Sequence, residues 1–139
     1  WSNLRMMAAR VAKTAADLPS LTRKLAERVL SGNEQEASNR SDYAGTLARL
    51  DRAVAPQALF VGFYETLFSE ETLENLCRFL GIAPRTGAPE KKVHGGIAVP
   101  LDETLQMALA RHLAPQYAAV EARFGALPQA WQQNLAKVR

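Results

Sequence analysis

Apolar residues recur at helical spacing along most of the chain, and this pattern predicts a largely helical protein. The first helix covers residues 2–15, where Ser2 is well placed to cap the free backbone N–H groups. The second covers residues 18–32 and stops at Gly32, because glycine readily adopts the left-handed conformation that ends helices. Residues 33–40, NEQEASNR, are mostly polar and predict a loop.

Two further helices follow in the middle of the chain. One begins after a cap at Ser41 or Asp42 and ends at Pro56. The other is capped by Ser69, whose hydroxyl can accept from a free N–H of the first turn, and ends at Gly81.

The remainder of the chain predicts a loop and more helix. Residues 82–100 are rich in Pro, Gly and Lys and predict the loop. A helix runs from Leu101 to about Leu113, and Pro115 breaks or restarts it because proline lacks an N–H and crowds the preceding turn. Near the end, Trp131 is expected to anchor the chain.

Residues 58–64, ALFVGFY, are the exception to the helical pattern. Both alternating faces of this run are apolar, which is typical of a central parallel strand covered by helices on both sides. The alternative is an all-helical domain in which residues 58–64 belong to a buried helix, but the short run between Pro56 and Glu65 favours a strand. A lone strand leaves its backbone groups unpaired, so it requires neighbouring strands that the chain does not obviously contain.

Composition sets the outer limits of the interpretation. The chain has 139 residues, of which 47% are hydrophobic, so one domain with a real core is expected. The formal net charge is +3, and the excess lies near the front, where basic residues outnumber acidic ones. Those basic residues are Arg5, Arg10, Lys13, Arg23, Lys24 and Arg28. They predict either a surface for an anionic ligand or an ordinary solvated helix face.

The lone cysteine, Cys77, cannot form an internal disulfide, and Cys/His spacing of the kind that binds metals is absent from the sequence. These features favour a reducing, cytoplasmic location and no metal. No apolar stretch approaches the ~20 residues that cross a bilayer, so no membrane association is expected. Because the chain begins with Trp1 instead of Met, we expect a piece of a longer protein or a processed chain.

Residues 41–82 resemble the second half of the sulfotransferase domain. The shared pattern is Ser-x-Tyr, a helix, an apolar run ending in Tyr-Glu-x-Leu, and a helix ending in Phe-Leu-Gly. The matching residues are Ser41, Tyr43, Tyr64, Glu65, Leu67, Phe79, Leu80 and Gly81. The segment FGALPQAW is similar to the Leu-Pro-x-x-Trp ending of several members, and WSNLRM resembles the end of the family's Arg-x-Pro-x-x-Arg-x-x-Ser element.

The resemblance implies an α/β, P-loop nucleotide-kinase-like three-layer fold, represented here by its mostly helical C-terminal part with one central parallel strand. Residues 1–139 are then the C-terminal part of a single sulfotransferase domain, without the N-terminal half that carries the phosphosulfate loop. It also implies that the full protein is an enzyme. A sulfuryl group passes from 3′-phosphoadenosine-5′-phosphosulfate to a hydroxyl or amine of a small-molecule or carbohydrate acceptor.

The resemblance assigns donor-binding roles to Ser2, Tyr64, Lys91 and Lys92. Ser2 is the serine that holds the 3′-phosphate, Tyr64 lies beside the adenine, and the two lysines close over the 3′-phosphate. For each, a structural alternative stays open: a plain helix cap, a core aromatic and a solvated loop, respectively. No catalytic residue is assigned, because no phosphate loop of the Gly-x-x-x-x-Gly-Lys type occurs in the sequence.

Two other functions remain open. A non-enzymatic helical module could bind an acidic partner or nucleic acid through its basic N-terminal face. Nucleic acid is disfavoured because residues 2–31 contain no aromatic residue to stack on bases. A degenerate sulfotransferase-like scaffold could bind nucleotide without doing chemistry. The sequence does not indicate an oligomeric state.

Overall fold

The computed structural model describes residues 2–87 and 99–138, apart from the side chain of Ser2. The chain divides into two compact units: Trp1–Leu47 with Gly96–Arg139 form unit 1, and Ala48–Gly95 form unit 2. All regular elements of the described residues are helical. They are α1 (Ser2–Val11), α2 (Leu18–Leu30), α3 (Gln35–Ser41), α4 (Tyr43–Ala53), α5 (Glu70–Leu80), α6 (Glu103–Phe124) and α7 (Gln129–Ala136), with short 3₁₀ turns at Ala15–Asp17 and Pro56–Ala58.

The predicted strand at residues 58–64 is absent, and so is the alternative helix. Residues 59–63 have no regular structure, and consecutive turns follow from Tyr64. The carbonyl of Phe63 accepts from the N–H of Thr66 at 3.1 Å, and that of Thr66 accepts from Ser69 at 2.9 Å. Because no described segment offers a strand edge for pairing, these backbone groups bond locally instead. The α/β prediction is therefore wrong, and the described fold is all-helical.

The predicted ends of α5 are confirmed. The side chain of Ser69 accepts from the N–H of Thr72 at 3.2 Å, which caps the first turn. Gly81 has φ of 66°, and the N–H of Ile82 donates to the carbonyl of Cys77 at 3.0 Å. This bond across a left-handed glycine satisfies a free carbonyl of the last turn.

The polar residues 33–40, which predict a loop, instead contribute most of α3. Two polar pairs at helical spacing support it: Arg40 contacts Glu36 at 2.7 Å, and Gln35 donates to Asn39 at 2.6 Å. The single apolar residue of the helix, Ala37, is only 2% exposed and belongs to the core of unit 1. The burial of Ala37 and the two short-range polar pairs thus stabilise this segment as a helix instead of a loop.

Other helix boundaries also differ from the prediction. Helix α1 ends at Val11, before residue 15. Asp42 rather than Ser41 caps α4, since its carboxylate accepts from the N–H of Gly45 at 2.9 Å. Helix α6 passes through Pro115 without a break.

Packing explains why Pro115 does not end α6. Proline inside a helix costs about 3 kcal/mol, because one hydrogen bond is lost and its ring crowds the preceding turn. Yet residues on both sides of it are buried, including Leu105 and Leu109 before it and Tyr117 and Val120 after it. Burying these side chains along one continuous helix outweighs the local cost.

The core of unit 1 lies where α1, α2, α3 and α6 meet. Its main cluster consists of Leu4, Met7, Ala26, Val29, Ala37, Leu101, Leu105 and Leu109. A second cluster joins Ala8, Leu18 and Val99. Ala8 and Ala26 are fully buried, and their small side chains permit close packing of α1 and α2.

Unit 2 has little core of its own. Among its described residues, 48–87, Cys77 alone is buried. The rings of Phe60 and Phe79 lie 5.6 Å apart and form an aromatic contact within it. Large apolar side chains remain exposed by 40–82%, namely Val61, Tyr64, Phe68, Phe79, Leu80 and Ile82.

Candidate functional site

The start of α1 is the first element of the candidate donor site. The described helix begins at Ser2, so its first turn contributes backbone N–H groups that have no partner within the helix. Such groups, together with the helix dipole, favour an anion such as phosphate. The side chain of Ser2 lies outside the description, so its contact with the 3′-phosphate stays a prediction.

Tyr64, the second predicted donor residue, lies in a turn of unit 2 and is 82% exposed. Its predicted position at the carboxyl end of a strand is wrong, because residues 59–63 form no strand. The alternative role as a core aromatic is equally wrong. The structure leaves most of the ring accessible, which is what a ligand that stacks on it requires.

Lys91 and Lys92 lie in residues 88–98, outside the described residues. Their predicted contact with the 3′-phosphate stays a prediction. Ser2 belongs to unit 1 and Tyr64 to unit 2. The structure places each residue relative to the other residues of its own unit.

An aromatic cluster lies in unit 1, built from three helices. Trp131 of α7 lies with its ring 5.3 Å from that of Tyr43 at the start of α4, and 5.3 Å from that of Tyr117 in α6. The planes are tilted by 33° and 46°, respectively, in the range that aromatic pairs favour. Trp131 is therefore an anchor, as the sequence predicts.

Tyr117 is the buried member of this cluster, at 7% exposure. Burial raises the pKa of its phenol, and a hydrogen bond with the side chain of Asn134 opposes that rise. The proximity of Tyr43 raises the pKa further. The cluster thus joins α6 and α7 by ring packing and by one side-chain hydrogen bond.

A cavity of about 80 Å³ lies beside the cluster, within unit 1. Its walls are mainly apolar, and Asn3, Ser41, Gln106, Tyr117 and Asn134 add polar groups. Because an apolar cavity that holds benzene has about 150 Å³, this one is too small for an adenine nucleotide. It is a local packing feature and not the donor site.

Sequence reasoning missed the inward-facing polar residues of unit 1. The Oδ1 atom of Asn3 is buried and accepts no hydrogen bond in the described part of the chain. Gln106 bonds the carbonyl of Leu101 at 2.7 Å and accepts from Lys137 at 2.7 Å. Single polar residues on amphipathic helices look like solvated positions, so no sequence signal distinguished these.

The basic residues of the N-terminal helices are partly neutralised. Arg23 pairs with Asp102 at 2.7 Å, Arg28 with Glu34 at 3.2 Å, and Arg10 with Glu36 at 3.7 Å. The two closer pairs, those of Arg23 and Arg28, reduce the positive field that a purely electrostatic nucleic-acid surface requires.

Residues 2–87 and 99–138 contain neither a metal-binding group of side chains nor a membrane-spanning helix. No group of three or more His, Cys, Asp or Glu side chains there is arranged to hold a metal ion. In the same residues, no helix combines the length and apolar character needed to cross a bilayer.

No family model matches this chain, and neither the curated proteins nor the solved structures contain a significant match. The family resemblance therefore rests on the motifs in the sequence.

Proposed function

We propose that this chain is the C-terminal portion of a sulfotransferase domain and supplies the 3′-phosphate and adenine side of the donor site. In this reaction the bond between sulfur and the phosphate oxygen of the donor breaks, and a bond from sulfur to the acceptor oxygen or nitrogen forms. The acceptor proton passes to a base, and 3′-phosphoadenosine 5′-phosphate leaves. By analogy with phosphoryl transfer, the protein mainly positions the reactants and stabilises charge.

The observation that carries the proposal is the contact between Tyr43 and Trp131. These residues belong to two separate family-like motifs, Ser-x-Tyr and Leu-Pro-x-x-Trp, at distant points of the sequence. Their rings lie 5.3 Å apart, so the two motifs form one packed structure. A chance match to each motif gives no reason for them to meet, whereas a shared family origin does.

The surface of unit 2 gives further support. A segment of this size that buries little besides Cys77 lacks the core that an independent domain requires. Its exposed apolar side chains fit a unit that packs on another part of the same domain, here the proposed catalytic half. The accessible ring of Tyr64 fits a role in stacking on adenine.

The test is calorimetric titration with 3′-phosphoadenosine 5′-phosphate of the protein that includes the encoded segment before Trp1. We expect binding at micromolar strength, and we expect that segment to contain a phosphate loop and to end in Arg-x-Pro-x-x-Arg. The 139-residue chain alone should bind weakly or not at all. Absence of binding by the extended protein would show that the proposal is wrong. Binding without sulfuryl transfer across a panel of acceptors would instead indicate a degenerate scaffold.

A matched pair of variants separates a donor contact from general damage. Tyr64→Ala should weaken binding about fivefold, because one stacking contact contributes on the order of 1 kcal/mol. Glu74→Ala changes an exposed polar position of α5 in the same unit and should leave binding within about twofold. Equal losses from both variants would argue against a specific role for Tyr64.

A further inference from the structure

A groove of about 410 Å³ lies between α1 and α2 in unit 1, closed by residues around the start of α3. On α2 its lining residues follow helical spacing from Leu21 to Arg28, so it runs along two turns, or about 10 Å. This groove is separate from the cavity beside the aromatic cluster, and it plays no part in the proposed donor site.

The floor of the groove is apolar. It is formed by Met7 and Val11 of α1 and by Leu21 and Leu25 of α2. Val11 is 65% exposed, more than any other large aliphatic side chain among the described residues. The apolar floor offers surface that an apolar ligand can bury.

The rim of the groove is basic on both sides. Arg10 lies on α1, and Lys24 and Arg28 lie on α2. Lys24 has no carboxylate partner among the described residues. The pair of Arg10 and Glu36 spans 3.7 Å with both side chains more than half exposed, so it contributes little and Arg10 is available to another anion.

The acidic residues of the groove are already engaged. Glu34, only 8% exposed, contacts Arg28 at 3.2 Å. Glu36 contacts Arg40 at 2.7 Å, so it stays neutralised when Arg10 turns to a ligand. The free charge that an incoming ligand meets is therefore positive, from Arg10 on one side and Lys24 on the other.

We propose that this groove docks an amphipathic helix of a partner protein, with an apolar stripe that fills the floor and acidic residues on both flanks. Nucleic acid does not fit this groove. An apolar floor makes no favourable contact with a phosphate backbone, and the lining includes no aromatic side chain on which a base could stack. A fatty-acid anion carries one charge at one end, whereas the groove presents cations along both edges. A helix with two acidic flanks satisfies both edges together.

The probe is a synthetic, fluorescein-labelled helix of about 14 residues, with leucines at i, i+3, i+4 and i+7 and glutamates on its flanks. Binding to the 139-residue chain is followed by fluorescence anisotropy. One control peptide carries lysine in place of each glutamate, and another carries serine in place of each leucine. We expect the acidic peptide to bind with a dissociation constant in the micromolar range and at least about tenfold more tightly than either control.

Two protein variants locate the site. Lys24→Glu should weaken binding of the acidic peptide about fivefold or more, because it replaces an attractive rim charge with a repulsive one. Arg111→Glu makes the same change in net charge at an exposed position of α6 outside the groove and should leave affinity within about twofold.

Three results would overturn the docking proposal. One is equal binding of the acidic and lysine peptides, or no binding at all. A second is an equal loss of affinity in Lys24→Glu and Arg111→Glu, which indicates attraction to net charge alone. A third is displacement of the peptide by a single-stranded oligonucleotide or by dodecanoate at lower concentration than by unlabelled peptide. None of these results depends on nucleotide binding, so the sulfotransferase proposal is tested separately.

Discussion

The backbone N–H of Ala44 donates to Oε1 of Gln116 at 2.9 Å, although 72 positions separate the two residues. Ala44 lies in the first turn of α4, where N–H groups have no partner within the helix. Gln116 follows Pro115 in α6. The side chain of one helix thus satisfies the open end of another within unit 1.

We expect Gln116→Ala to lower the free energy of unfolding by about 1–2 kcal/mol, because the partly buried N–H of Ala44 loses its acceptor. Urea denaturation followed by tryptophan fluorescence measures the change, since Trp131 lies in the same unit. Gln129→Ala, at an exposed position of α7, is the control and should stay within about 0.5 kcal/mol of the original. Similar midpoints for Gln116→Ala and the control would contradict the assignment.

Asp42 and Gly45 should be energetically coupled. A Cβ atom on Gly45 would collide with the carboxylate of Asp42, which caps α4. Gly45→Ala should therefore displace the cap and destabilise the protein by about 1 kcal/mol. In an Asp42→Ala background the same change should be neutral or stabilising by up to about 1 kcal/mol, because alanine favours helix over glycine.

A double-mutant cycle from thermal or urea unfolding measures this coupling. Additive effects of the two substitutions would show that the cap does not restrict position 45.

Thr22 carries an unsatisfied polar atom in the core. The residue is 2% exposed, and its Oγ1 has no hydrogen-bond partner within the described part of the chain. Valine has nearly the same shape, so Thr22→Val should stabilise the protein by about 1 kcal/mol. Thr104→Val, at an exposed position of α6, controls for the general effect of the substitution and should change stability by less than about 0.5 kcal/mol. A lower melting temperature for Thr22→Val would reveal a hydrogen bond at Oγ1.

Tyr117 should make stability depend on alkaline pH. Because burial raises its pKa above the ordinary value of 10.0, the folded state holds the phenolic proton more tightly than the unfolded state. Its contribution is complete below pH 10.0 and is lost as the pH rises through the pKa of the folded state. Tyr117→Phe keeps the ring beside Trp131 and removes the ionisable group.

The variant should accordingly lose less stability than the original protein between neutral and alkaline pH. Urea midpoints measured across this range give the comparison. Parallel pH profiles would show that Tyr117 ionises equally well in both states.

Some structural features could be predicted from the sequence alone because they depend on local chemistry. Helix α5 begins after Ser69 and ends at Gly81, as predicted. These ends are predictable because a cap and a left-handed glycine act on backbone groups only a few residues away. The predicted anchor at Trp131 was also found. Its partners Tyr43 and Tyr117 could not be read, since their contacts depend on how α4, α6 and α7 pack.

The structural predictions that are wrong concern features that depend on distant parts of the chain. Residues 58–64 have the alternation of a buried strand, but an apolar run becomes a strand only where another strand can pair with it. The same holds for the candidate site. Its residues were assigned from motif resemblance, and the predicted position of Tyr64 at a strand end is wrong because residues 59–63 form no strand.

By itself, the sequence determined the helical periodicity, the caps and glycine stops of individual helices, and the basic character of the N-terminal segment. Those properties arise from side chains acting on their own or adjacent turns. Only the tertiary structure decided that α3 is a helix, that α6 continues through Pro115, and that cations of α1 and α2 line an apolar groove. Each of these depends on burial or contact between elements, and short-range patterns contain no information about which surfaces will meet.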